Sequence, residues 1–240
     1  MKLLYYFIGI FVLFTFIFLY FYFAELSKKD SSKQEIMFQD EQKKEIILPK
    51  PSFGGATSLE EAIQKRRSVR DYKDEALNLN EISQILWASQ GITQGTHRTV
   101  PSAGALYPIE IFLAIRNVQG LQKGAYHYIP KDHKLILIKE GDFSEDLSDA
   151  ALGQEWVKNS SLNLIISAVF ERTTQKYGKR GIRYVWMEAG HSAQNVYLEV
   201  SALNLGTVSV GAFEEEKVKE ILSLPTNVEP LYIMPIGKPK

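Results

Sequence analysis

The chain has 240 residues with 28 basic and 28 acidic side chains, so no net field favours nucleic acid or an acidic surface. Cysteine is absent, which excludes disulfides, thiolate nucleophiles, iron–sulfur clusters and cysteine-ligated zinc. Setting aside the N-terminal fifth leaves about 190 residues, one ordinary domain with room for a substantial core.

Residues 3–24 read LLYYFIGIFVLFTFIFLYFYFA, 22 positions without a charge. As a helix they would extend about 33 Å, enough to cross a hydrocarbon core of roughly 30 Å. Tyr5 and Tyr6 at one end and Tyr20 and Tyr22 at the other suit the two interfaces. The run is long for a cleaved signal peptide, and FYFAELS makes a poor cleavage site. Residues 1–24 are therefore expected to be a single-pass anchor in the cell membrane. Lys2 before the run and Lys28, Lys29 and Lys33 after it leave the side of the catalytic domain open. Residues 25–50 hold six lysines and six acids and read as a polar linker. Pro49, Pro51 and Gly54–Gly55 mark the boundary of a domain over 51–240.

Within that domain, Ser58 with Glu61 three residues on predicts a capped helix ending near Lys65 or Arg67. Asn78 or Asn80 caps a second helix, through Ile82, Ile85, Leu86 and Ser89, that stops at Gly91. Residues 109–115 form a largely apolar, central strand. Residues 124–129 and 135–138 suggest a hairpin across Pro130–His133, and 162–170 another buried strand. The longest helical pattern runs from Arg180 to Leu205, with Ala189, Ser192, Ala193 and Ala202 small enough for close helix packing. A strand at 207–210, a helix at 214–222 and a strand at 231–236 complete an α+β fold, a sheet sandwiched by helices.

Three segments carry candidate chemistry. Lys65-Arg66-Arg67-Ser68-Val69-Arg70 places four cations and a hydroxyl at a helix end; guanidinium forks match phosphate oxygens, although a solvated charge run has the same composition. Pro101-Ser102-Ala103-Gly104-Ala105-Leu106-Tyr107-Pro108 is a stiff loop of small residues whose backbone a planar ligand can approach. Val208-Ser209-Val210-Gly211-Ala212-Phe213 joins a strand to a helix, where backbone N–H groups can face an anion or an electron-rich heteroatom. On the long helix Glu188, His191 and Asn195 share a face, but no second histidine stands near His191, so no metal site is expected.

In this order, RRSVRDY (66–72), PSAGALYPIEIFL (101–113), YGKRGIRYVWMEAGHSAQNVYLEVSALNLG (177–206), VGAF (210–213) and LYIMPIGKP (231–239) resemble the nitroreductase superfamily. The PSAGALYP and EAGHSAQN segments are most similar to its SagB-type dehydrogenase branch, associated with thiazole and oxazole formation in modified peptides. The resemblance implies a mainly antiparallel central sheet flanked by helices, and a homodimer with two FMN molecules at the subunit interface. It assigns Arg66, Arg67, Ser68 and Arg70 to the FMN phosphate and ribityl chain. Ser102, Ala103 and Gly104 correspond to the loop reaching the flavin from the partner subunit. Gly211 and Ala212 match the turn facing flavin N5, with Val210 beside one ring face. In that family further basic residues near the carboxyl end often face the phosphate, a part open here to Lys238 and Lys240.

Azoline-oxidising members have a Lys–Tyr pair near the active site, and Lys176–Tyr177 resembles it; an ordinary surface loop is the other reading, with Arg183 and Tyr184 as alternative pocket residues. The expected activity is FMN-dependent hydride transfer to or from a small organic or modified-peptide substrate, with NAD(P)H as a transient reductant. A SagB-like, oxygen-dependent azoline dehydrogenase is the alternative, and a flavin-binding membrane accessory protein without turnover is a third. No Gly-x-Gly-x-x-Gly fingerprint is present, so no dedicated dinucleotide domain is expected.

Overall fold

Ile109–Ile115 (β2) and Leu162–Ala168 (β5) are buried at every position and lie side by side at the centre of a sheet. The computed structural model describes residues 44–240. The anchor expected over 3–24 lies outside them; among the described residues no helix is long and apolar enough to cross a membrane. The other strands are Glu45–Ile47 (β1), Gly124–Ile129 (β3), Lys134–Glu140 (β4), Gly206–Thr207 (β6) and Glu229–Gly237 (β7). Their order is β1-β4-β3-β2-β5-β7-β6, and every neighbouring pair is antiparallel.

Alternation along a strand sends successive side chains to opposite faces. Ile109, Ile111, Leu113 and Ile115 belong to the main apolar core with Ile82, Ile85 and Leu86 of helix α2 (Leu79–Gln90) and Val185, Ala189 and Val196 of helix α6 (Arg180–Ala202). The two helices approach closely through the small residues expected to permit it. Ser192 Oγ donates to Ser89 O at 2.9 Å, and Asn195 Nδ2 to Ala88 O at 3.2 Å. Helices α3 (Ser144–Ala150), α4 (Glu155–Asn159) and α7 (Glu215–Leu222) complete the structure with α1 (Leu59–Lys65) and α5 (Glu171–Tyr177).

The helix caps follow the side-chain chemistry. Ser58 accepts the Glu61 N–H at 3.1 Å, while the Glu61 carboxylate pairs with Lys65 instead of closing a capping box. Asn78, not Asn80, caps α2: its Oδ1 accepts from the Asn80 and Glu81 amides, and Glu81 Oε2 accepts the Asn78 N–H at 2.7 Å.

Three expectations are corrected. The domain begins before residue 51, because β1, inside the stretch read as linker, pairs with β4, and Leu48 after it is buried. A three-residue edge strand is too short to register as an apolar pattern. The strand expected through Phe170 ends at Ala168, where the Val169 N–H turns to Pro108 O. The strand expected at 207–210 reduces to Gly206–Thr207 and an isolated bridge from Val210 to Ile233. Lys176 and Tyr177, read either as a functional pair or as an ordinary surface loop, end helix α5, with Gly178 after them at a positive φ of 56°.

Candidate active site

Helix α1 ends at Lys65, and the next residues run beside β6. The Val69 N–H donates to Thr207 O at 2.9 Å. Tyr72 locks the segment from below, its hydroxyl donating to Val69 O at 2.7 Å. Burial pushes that phenol up, and it remains protonated. The arginines rest on ring faces: Arg66 lies 5.3 Å from the Tyr197 centroid and Arg70 5.4 Å from that of Trp156. Arg67 Nε donates to Lys65 O at 3.1 Å. Neighbouring acids are spent elsewhere, Glu61 on Lys65, Asp71 on Lys240 and Glu75 on Lys238. Among the described residues none of these three arginines has a carboxylate partner, so the segment keeps its positive charge, whereas Lys238 and Lys240 are already paired. A cavity of about 370 Å³ opens beside it, lined by Lys65, Arg67, Tyr197, Ser201 and Thr207.

Tyr197 joins this segment to the Val208–Phe213 connection. Its hydroxyl accepts the Ser209 N–H at 2.8 Å and lies 3.1 Å from Ser209 Oγ and 3.2 Å from Ser68 Oγ. Val210 is anchored to Ile233 by hydrogen bonds in both directions, 2.8 and 3.0 Å, so Gly211 and Ala212 emerge exposed at a fixed place. A side chain on Gly211 would meet only Tyr232, at 3.8 Å, so its approach side is open. Gln154 Nε2 donates to Ala212 O at 3.0 Å.

The Pro101–Pro108 segment is a constrained loop. Gly104, Ala105 and Tyr107 have φ of 65°, 54° and 47°, and two of these are not glycine, so the conformation is strained. Several bonds hold it: Ser102 Oγ accepts the Tyr107 N–H at 2.9 Å, and Glu188 Oε1 of α6 accepts the Ala103 N–H at 2.9 Å. Burial pushes the Glu188 carboxyl up against the opposing effect of its own bonds to Ala103 and Ser102. Lys176 and Tyr177 close over Gly104. A Cβ there would lie 2.8 Å from the Tyr177 hydroxyl and 2.9 Å from Lys176 Nζ, so it would push the ends of both side chains aside. Tyr177 stacks edge-on against Tyr184 at 5.3 Å.

The candidates thus gather in two clusters. One holds Arg66, Arg67, Ser68 and Arg70 with Val210, Gly211 and Ala212; the other holds Ser102, Ala103 and Gly104 with Lys176 and Tyr177. Tyr197 and Glu188, which serve one cluster each, are nine residues apart on α6, about 14 Å of helix rise. Tyr197, Trp156 and Gln154 escaped the sequence reading: an aromatic within a helical period looks like core, and nothing local reveals which loop its hydroxyl meets. His191 is exposed, and among the described residues no group of acids and histidines could hold a metal.

Comparison with known proteins matches residues 63–238 to the sequence model of the Nitroreductase family. MJ1384 of Methanocaldococcus jannaschii, a protein named as a nitroreductase, is 48% identical over 181 residues, 75% of this chain and 90% of its own. The Microcin B17-processing protein McbC of Escherichia coli is 30% identical over 146 residues, 58% of this chain and 54% of McbC. A crystal structure from Ralstonia eutropha JMP134, also named as a nitroreductase, superposes with a TM-score of 0.72 at 27% identity, covering 82% of this chain and 90% of that one.

Proposed function

Because the chain belongs to the nitroreductase family, we propose that it is an FMN-dependent oxidoreductase transferring hydride between the flavin and a small organic substrate, with NAD(P)H as reductant. The observation that carries this reading is the node at Tyr197. It ties Arg66 and Ser68 of the arginine segment to the open Gly211 turn, setting donors for a phosphate next to donors for a ring.

The residues suit FMN on two further counts. Among the described residues Thr207 Oγ1, of a residue in the cavity wall, is buried without a hydrogen-bond partner, and a buried hydroxyl calls for an acceptor or donor. Guanidinium groups without carboxylates suit a dianionic phosphate. Arg66, Arg67, Ser68 and Arg70 would hold the phosphate and ribityl chain, Gly211 and Ala212 would face the ring beside Val210, and Ser102, Ala103 and Gly104 would approach it from a partner subunit. FMN when bound supplies the hydride acceptor and donor, so the protein needs no covalent nucleophile. Tyr177 would orient the substrate by its hydroxyl, and Lys176 would move a proton at the substrate.

A homodimer completes this arrangement, since the two clusters sit at different heights on α6. Ile182, Trp186 and Met187 of α6 and Leu59 and Ile63 of α1 are exposed apolar residues suited to a second copy. Residues 3–24 would fix that dimer to the lipid bilayer, and a protein that enters the soluble fraction without detergent would rule the anchor out.

The pairing of Lys176 with Tyr177 at Gly104, together with the likeness to McbC, favours a second reading in which a peptide azoline gives hydride to the flavin and Lys176 takes the proton. Anaerobic addition of NADPH to the purified protein separates the two. Bleaching of the flavin absorbance supports the reductase; bleaching by an azoline peptide alone supports the second reading. Protein that stays colourless after incubation with FMN would refute both.

A further inference from the structure

Beneath the loop lies a buried set of charges. Arg172, in the first turn of α5, is 8% exposed, and its Nη1 reaches the Glu110 carboxylate at 2.6 Å and donates to the Tyr107 carbonyl at 2.9 Å. His127, 3% exposed, meets the other Glu110 oxygen at 2.8 Å and stacks on Phe112. Burial pushes the Glu110 carboxyl up, but hydrogen bonds and charges from His127 and Arg172 outweigh that and hold it below the usual range. Arg98 lies over the Tyr107 ring at 4.7 Å and is itself fixed by Gln90 at 3.1 Å.

A buried ion pair rarely repays its desolvation, so stability alone gives a poor account of three such groups where α5 meets the sheet. Their position gives a better one. Helix α5 touches the strained loop near both of its own ends: Arg172 holds the Tyr107 carbonyl, and about one turn later Lys176 and Tyr177 stand at Gly104. A strained loop persists only where its surroundings over-determine it. Here Glu188 grips Ala103 from α6 and Arg172 grips Tyr107 from α5.

We infer that Arg172 is a positioning residue of the site. Bonded at once to Glu110 and to the Tyr107 carbonyl, it sets the distance between α5 and the Ser102–Tyr107 loop, so that Lys176 and Tyr177 are delivered to Gly104. The inference rests on the reading of that loop and that pair as the reacting end of the site.

The test compares Arg172→Lys with the charge-free double variant Glu110→Gln/Arg172→Met, because removing one member of a buried pair can prevent folding. Lysine keeps the charge on a shorter, unforked stem, so a merely structural ion pair would be rescued by it. Hydrogen exchange is read at the Ala105 and Tyr107 amides, both bonded to Ser102 in the native loop. Turnover is read with NADPH and 1,4-benzoquinone. We expect both variants to retain FMN, to exchange those amides about tenfold faster, and to lose kcat by roughly tenfold to a hundredfold at unchanged KM. Native exchange and native kcat in Arg172→Lys would overturn the inference, as would loss of FMN in step with kcat in both variants. If the native protein itself held no FMN, the reading of the site would fall, while the exchange data would still report whether Arg172 fixes the loop.

Discussion

Ser68 and Ser209 lie 141 positions apart in the chain, yet both meet one oxygen, the Tyr197 hydroxyl, at 3.2 Å and 3.1 Å. That contact joins the arginine segment to the Gly211 turn, and it makes a residue of the long helix the organiser of the proposed phosphate end of the site. Tyr197→Phe keeps the ring under Arg66 but leaves the Ser209 N–H unpaired. The expected cost is about 1–2 kcal/mol in chemical denaturation, with weaker FMN binding in a fluorescence titration.

Arg66 and Lys176 belong to different clusters, and their substitutions should separate. Arg66→Ala removes a phosphate-directed charge and should weaken FMN retention by roughly tenfold or more, on the scale of a lost charge-assisted hydrogen bond. Lys176→Ala should leave retention near native and lower turnover. Equal retention in the two variants would contradict the phosphate assignment.

Gly104 is favoured by its φ of 65°, and a Cβ there would come within 2.8 Å of the Tyr177 hydroxyl and move it. Gly104→Ala should cost about 1 kcal/mol from the left-handed backbone and displace Tyr177. Turnover should then fall while flavin retention stays native, a combination read by steady-state kinetics beside an absorption spectrum.

Much of the scaffold was legible in the sequence. The central strand 109–115, the hairpin, the Asn78 cap and the long helix each carry a local signature, either period, cap or turn. Strand β1 and helices α3, α4 and α5 did not: they are three to seven residues long and depend on tertiary contacts rather than propensity. The candidate segments were visible as motifs, but their grouping was not. Arg172 looks like an ordinary helix cation until Glu110 and Tyr107 arrive from the opposite side of the sequence.

Glu188 gives a pH dependence of definite sign. Its carboxyl is raised by burial above the ordinary value of 4.5, so the folded state favours the protonated form. That contribution to stability is present below 4.5 and is lost as pH rises through the higher folded value. Glu188→Gln still offers an oxygen to the Ala103 N–H and has no charge to bury. Between pH 4.5 and neutrality the native protein should therefore lose stability relative to Glu188→Gln, as read from denaturation midpoints across that range.

The central claim is that the arginines after α1 and the Gly211 turn together hold FMN. Flavin stoichiometry of the purified protein, incubated with FMN, desalted and read by absorbance against protein content, tests it most directly. The account predicts about one flavin per chain, since each chain carries one arginine segment. A colourless protein after desalting would contradict it.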